Sequence, residues 1–148
     1  MRRRVVLGLL ILFLPLFVLA AIAIPNLMTA MNRSKQKRTM ADIRTVATAW
    51  EARATDFNTY DAVPRRTAGM TVVSRRDLER ALVPKYVKIL PVRDAWDRPL
   101  QFVTNGQNYF IRSAGRDGRL DHSSGPTRSF DNDIVYGDGA FIEYAEGV

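Results

Sequence analysis

Between Val5 and Ile24 the chain runs without a single charge, reading VVLGLLILFLPLFVLAAIAI. As a helix rising about 1.5 Å per residue, a run of about twenty residues spans the roughly 30 Å hydrocarbon core of a bilayer. It is apolar on every face, so a small soluble domain could not surround it. The run passes through Pro25-Asn26 into Leu27–Phe57, which is again helical in composition. The expectation is one long helix, half lipid-embedded and half wet, with residues 1–26 as a transmembrane anchor.

A cleavable secretory signal is the competing reading, because Met1-Arg-Arg-Arg4 makes a positive leader and Ala21-Ile22-Ala23 a small-residue site. Against it, the run exceeds the usual apolar region of about 7–15 residues, and cleavage would leave Ile24-Pro25 at the new terminus. Orientation is balanced, since Arg2, Arg3 and Arg4 face Arg33, Lys35, Lys37 and Arg38 across the run. Pro15 and Pro25 each remove a backbone donor, which membrane helices tolerate when neighbouring helices re-satisfy the freed groups. Ala20, Ala21 and Ala23 leave room for close helix contact, so association through this segment is expected.

The chain has 148 residues, and with the anchor set aside about 120 remain, enough for one domain over residues 27–148. The net charge of +7 is spread through both halves and points to acidic or anionic neighbours without naming one. The absence of cysteine excludes disulfides, thiolate metal sites and a cysteine nucleophile.

Met40, Ile43, Val46, Ala47, Trp50, Ala54 and Phe57 recur at three- and four-residue spacings and predict an amphipathic helix whose apolar stripe packs on the domain that follows. A loop from Asn58 to Gly69, carrying Pro64, ends it. Ser74 with Asp77 forms an N-terminal capping arrangement for a short helix to about Leu82, stopped by Pro84, with Leu78, Ala81 and Leu82 facing inward. From Leu100 the period becomes strand-like. Leu100–Thr104 and Tyr109–Ser113, joined through Asn105-Gly106, read as a hairpin with a tight turn. Ile134–Tyr136 and Phe141–Tyr144, separated by Gly137-Asp138-Gly139, add to the same small antiparallel sheet, and the fold class is α+β.

Ser113-Ala-Gly-Arg-Asp117-Gly118-Arg-Leu120-Asp121 and Phe130-Asp131-Asn132-Asp133-Ile134 are the chemically richest segments. Calcium takes six to eight hard oxygen ligands, which carboxylates and the carbonyls of a bent glycine-containing loop supply. From the residues alone, a turn at Asp117-Gly118 beside a solvated loop is the simpler reading. Arg75, Arg76, Arg80, Lys85, Lys88 and Arg93 make the densest basic region, but without interleaved aromatics or a recognised motif it reads as a solvated face, not a specific nucleic-acid site. His122, the one histidine, lies beside Ser123 and Ser124 in a polar loop, where adjacent residues cannot pair as nucleophile and base. No phosphate-binding glycine motif or zinc signature stands out, and no enzyme is expected.

Ala20-Ala21-Ile22-Ala23-Ile24-Pro25-Asn26-Leu27, followed by a basic amphipathic helix, resembles the N-terminal helix of type IV pilins and type II secretion pseudopilins. Asp94-Ala95-Trp96-Asp97-Arg98-Pro99-Leu100-Gln101-Phe102 resembles the Asp-Pro-Trp-Gly-Asn-Pro-x-x-Tyr segment of the major pseudopilins, keeping Trp96 and Pro99 in place. The resemblance implies a pilin-like fold whose core includes Trp50, Phe57, Trp96 and Pro99, and a structural calcium ion. In that family a Ser-x-Gly-x-Asp-Gly segment and a later acidic pair hold the ion; Asp117, Asp131 and Asp133 match, with Ser113 and the carbonyl of Leu120 as additions.

Upstream the chain departs from the pattern. Aligned on Pro25, the family's processing glycine falls at Arg3, its first mature residue at Arg4 and its glutamate at Gly8. Met1–Gly8 is therefore expected to stay attached. The resemblance implies a subunit anchored once in a bacterial inner membrane with its C-terminal domain in the periplasm. Its partners would be copies of itself or related pilins and the secretion or pilus assembly machinery. A DNA-binding uptake pilin and a membrane-anchored domain that never polymerises are the alternatives.

Overall fold

The computed structural model describes residues 2–62, 69–121 and 126–146. The segment around Pro64 and the His122–Ser124 stretch lie outside these residues. The chain divides into two compact units, Met1–Ser34 and Lys35–Val148.

Helix α1 (Arg2–Phe57) runs unbroken through Pro15 and Pro25. In the first unit the large apolar side chains from Phe13 to Met31 are exposed, Phe17 by 72%. Pro25 has no amide hydrogen, so the carbonyl four residues earlier lacks its helical donor. Thr29 donates its hydroxyl to the Pro25 carbonyl at 3.0 Å, a bond that competes with the helix ladder and favours local bending.

The second unit builds its core between the later part of α1, helix α2 (Arg75–Leu82) and a sheet. The strands are β1 (Thr71–Val72), β2 (Gln101–Thr104), β3 (Tyr109–Ser113), β4 (Ile134–Gly137) and β5 (Ala140–Glu143). They lie side by side in chain order, each antiparallel to its neighbours. Alternation decides the faces, because successive strand side chains point to opposite sides. Phe102, Thr104, Tyr109, Ile111, Ser113, Ile134 and Tyr136 turn inward and are buried. Register places Phe102 beside Ile111 and Ile111 beside Tyr136.

Against this face α1 lays Ile43, Val46, Ala47, Ala49 and Trp50, all buried, with Leu78 and Leu82 from α2. Trp50 centres the cluster, with ring centroids 6.3 Å from Phe102 and 5.2 Å from Tyr109. Its indole N–H donates to the Tyr60 carbonyl at 2.8 Å, which satisfies the polar end of a side chain otherwise wholly enclosed. The predicted cap of α2 is present. Ser74 accepts from the Asp77 amide at 3.2 Å and donates its hydroxyl to the Asp77 carboxylate at 2.8 Å.

Three details differ from the sequence expectation. Phe57 is 59% exposed, since α1 ends there and Asn58, at φ 53°, turns the chain so that Tyr60 covers Trp50 instead. The Phe57 ring lies 4.8 Å from the Arg53 guanidinium. Pro99 is exposed, because in extended backbone it alternates with Leu100, which takes the inward position at 6% exposure. The hairpin loop is four residues long, since Thr104 pairs with Tyr109. Only Gly106 in it has positive φ, and the Asn105 side chain accepts from the Gln107 and Asn108 amides instead of sharing a two-residue turn. The tight turn belongs to the next hairpin. There Asp138 (φ 47°) and Gly139 (φ 93°) connect Gly137 to its partner Ala140, the pairing of positive φ values that a two-residue loop needs.

Candidate functional site

Two regions carry the sequence-predicted functional residues, one in each unit. In the first, Ala21, Ile22, Ala23, Ile24, Pro25 and Asn26 are exposed along α1, while Ala20 is half-buried. Among the described residues one helix is long and apolar enough to cross a membrane, and it contains this segment. Exposed apolar surface on all faces has two physical outlets, lipid or the apolar helices of other subunits. The small side chains at Ala20, Ala21 and Ala23 allow either.

In the second unit the Ser113–Asp121 loop folds back on residues 130–133. The Arg116 amide donates to the Phe130 carbonyl at 2.9 Å. Gly115 (φ 59°) presses so closely on this strand of backbone that a Cβ would lie 2.4 Å from the Asn132 carbonyl oxygen. Only glycine fits both the conformation and the space.

Two carboxylates of the segment that the loop folds on, Asp131 and Asp133, are paired with arginines. Arg116 grips Asp131 with two parallel hydrogen bonds, Nε to Oδ1 and Nη2 to Oδ2, each 2.7 Å. Arg112 Nη2 donates to the fully buried Asp133 at 2.9 Å, and the other Asp133 oxygen accepts the Asp121 amide at 3.3 Å. The hydrogen bonds from Arg116 hold the Asp131 carboxyl below its ordinary range. Burial pushes Asp133 up, against the pull of Arg112. Asp117 accepts the Arg119 amide at 2.9 Å, closing a local turn. Ser113 donates its hydroxyl to Asp94 at 2.6 Å, and Leu120 is exposed.

Calcium demands oxygens converging on one point. Among the described residues no group of three or more acidic, histidine or cysteine side chains is placed to hold a metal. Asp131 and Asp133 instead face guanidinium groups, so this donor set does not fit the ion.

Asp94 is the residue sequence reasoning undervalued. It is buried, and its Oδ1 accepts the amides of Trp96 and Arg98 at 2.9 and 2.8 Å, while Oδ2 takes the Ser113 hydroxyl. It thereby ties the Trp96 segment to the start of the loop, and Trp96 packs partly buried against the core. Thr39 and Gln36 on α1 were also missed. Thr39 accepts the Ala95 amide at 3.0 Å, and Gln36 donates to the Ala145 carbonyl at 2.6 Å. Their signal was position alone, on the stripe's own spacing.

The basic region is largely charge-compensated. Arg75, Arg80, Lys85 and Arg93 face Glu79, Asp77, Asp56 and Asp97 at 3.9, 3.7, 2.7 and 3.1 Å. Such pairing weakens the case for a phosphate-binding face.

Comparison with known families returns a match to Type II secretion system (T2SS), protein G, over residues 26–133. The chain belongs to this family. It is thus a pseudopilin, of the major type by family, and the family's role is structural. The matched region takes in the wet part of α1, the Asp94–Phe102 segment and the arginine-paired loop. No curated protein and no solved structure matches the chain. The long apolar helix and the small antiparallel sheet form the α+β, pilin-like layout that the resemblance implied.

Proposed function

We propose that this pseudopilin polymerises through its apolar helix into a piston-like fibre that drives protein export across the outer membrane. Residues 1–26 hold the free subunit in the inner membrane, and residues 27–148 form its periplasmic domain. The partners are other copies of the chain, related pseudopilins and the inner-membrane secretion machinery. The observation that carries this reading is the exposed apolar length of α1 from Phe13 to Met31, in a chain whose family supplies secretion subunits. A soluble function gives such a surface no partner.

The natural absence of cysteine makes a direct test simple. Single cysteines at Leu16, Ala21 or Ile24 in membranes expressing the chain should form disulfide-linked dimers on mild oxidation, while a cysteine at exposed Ile89 should not. Equal cross-linking at all four positions, or none at any, contradicts assembly through the helix.

A further inference from the structure

We propose that segments 113–121 and 130–134 are locked together by Arg112 and Arg116 in place of a metal ion, so that the domain folds and holds its shape without calcium. Among the described residues, side chains of the chain itself hold the two segments together. Arg116 projects from the middle of one segment and clasps Asp131 on the other through two bonds of 2.7 Å, one to each carboxylate oxygen. That fork-to-carboxylate geometry fixes direction as well as charge, which a lysine or a diffuse cation does not. Arg112 brings a second positive charge to Asp133, whose side chain is wholly enclosed. Arg98 lies against Gly118 and donates to the Arg116 carbonyl at 3.3 Å.

A divalent ion at Asp131 and Asp133 would have to displace both guanidinium groups or sit against them, and like charges at contact distance repel. Asp117, the third candidate ligand, turns one oxygen to the Arg119 amide in a local turn. Arg116 occupies a spacer position of the Ser-x-Gly-x-Asp-Gly pattern, so motif reading passes over it. The functional consequence is a pseudopilin whose subunit stability does not follow the calcium level outside the cytoplasm.

The test uses the full-length chain in detergent micelles, with melting followed by Trp50 and Trp96 fluorescence in calcium, in magnesium at equal ionic strength and in chelator. The unmutated chain should melt at the same temperature in all three, within about 1 °C. Arg116→Gln and Asp131→Asn should each lower it, and the double variant should fall no further than either one alone. Arg116→Lys, which keeps the charge without the fork, should recover only part of the loss. A calcium-specific rise of roughly 5–15 °C in the unmutated chain, the size expected for a saturated structural ion, would overturn the proposal. Additive losses for Arg116→Gln and Asp131→Asn would overturn it equally. The measurement needs no fibre, so its outcome is separate from that of the assembly reading.

Discussion

Residues 13–34 and 35–57 belong to the same helix, yet they are built for different surroundings. In the first stretch Phe17 is 72% exposed and its apolar neighbours share that exposure; in the second Ile43, Val46 and Trp50 are wholly buried. Composition and periodicity both change: residues 13–34 carry one charged residue, Arg33, and residues 35–57 carry eight. An apolar run on every face offers no side for water, whereas a stripe at three- and four-residue spacing offers one side to a core and leaves the rest wet. Charge density and periodicity together assign the solvent.

The contrast is broken or sharpened by substitution. Trp50→Ala should cost the second unit about 3–5 kcal/mol in denaturant unfolding, because it empties the centre of the aromatic cluster. Phe17→Ala in the first stretch should leave that transition unchanged, so a comparable loss there would erase the distinction. Gly115→Ala should cost about 2–4 kcal/mol, combining a positive φ with a Cβ pressed on a carbonyl oxygen that cannot easily move. Gly69→Ala, also at positive φ but with nothing within 4 Å of its Cβ, separates backbone strain from crowding.

Tyr109 extends the comparison to pH. It is buried, and it donates its hydroxyl to Glu51 on α1. Burial, then the bond to Glu51, pushes its phenol far above the ordinary tyrosine range. The folded state therefore resists forming the tyrosinate that the unfolded chain forms near pH 10. The contribution of Tyr109 to stability should be level below that pH and fall above it, by up to about 1.4 kcal/mol per pH unit. Tyr109→Phe should reduce the slope, leaving the part due to Tyr60 and Tyr136, whose phenols burial also pushes up. Smallest of the set is Thr39→Val, which leaves the Ala95 amide without its acceptor and should cost about 1–2 kcal/mol. Thr45→Val on the exposed side of the same helix should cost almost nothing.

The parts legible in the sequence were those governed by local chemistry. The Ser74 cap, the Trp50 stripe and the alternating strands follow from spacing and side-chain type alone. Sequence could not tell which hairpin holds the two-residue turn, because Asn105-Gly106 and Asp138-Gly139 are equivalent as dipeptides and register decides between them. β1, two residues long, carries too little pattern to be read. Asp94, Arg112 and Arg116 acquire their roles only when segments about twenty residues apart are brought face to face. Carboxylates suggested a metal; the arginines opposite them were invisible until the loop closed.

Imaging the chain overproduced in membranes by negative-stain electron microscopy tests the central claim most directly, since assembly through the apolar helix must yield fibres. The account predicts thin filaments that carry this chain and disappear when Ala21 and Ala23 in the close-packing segment are both replaced by Asp. Membranes holding abundant, correctly folded protein and no filaments would contradict it.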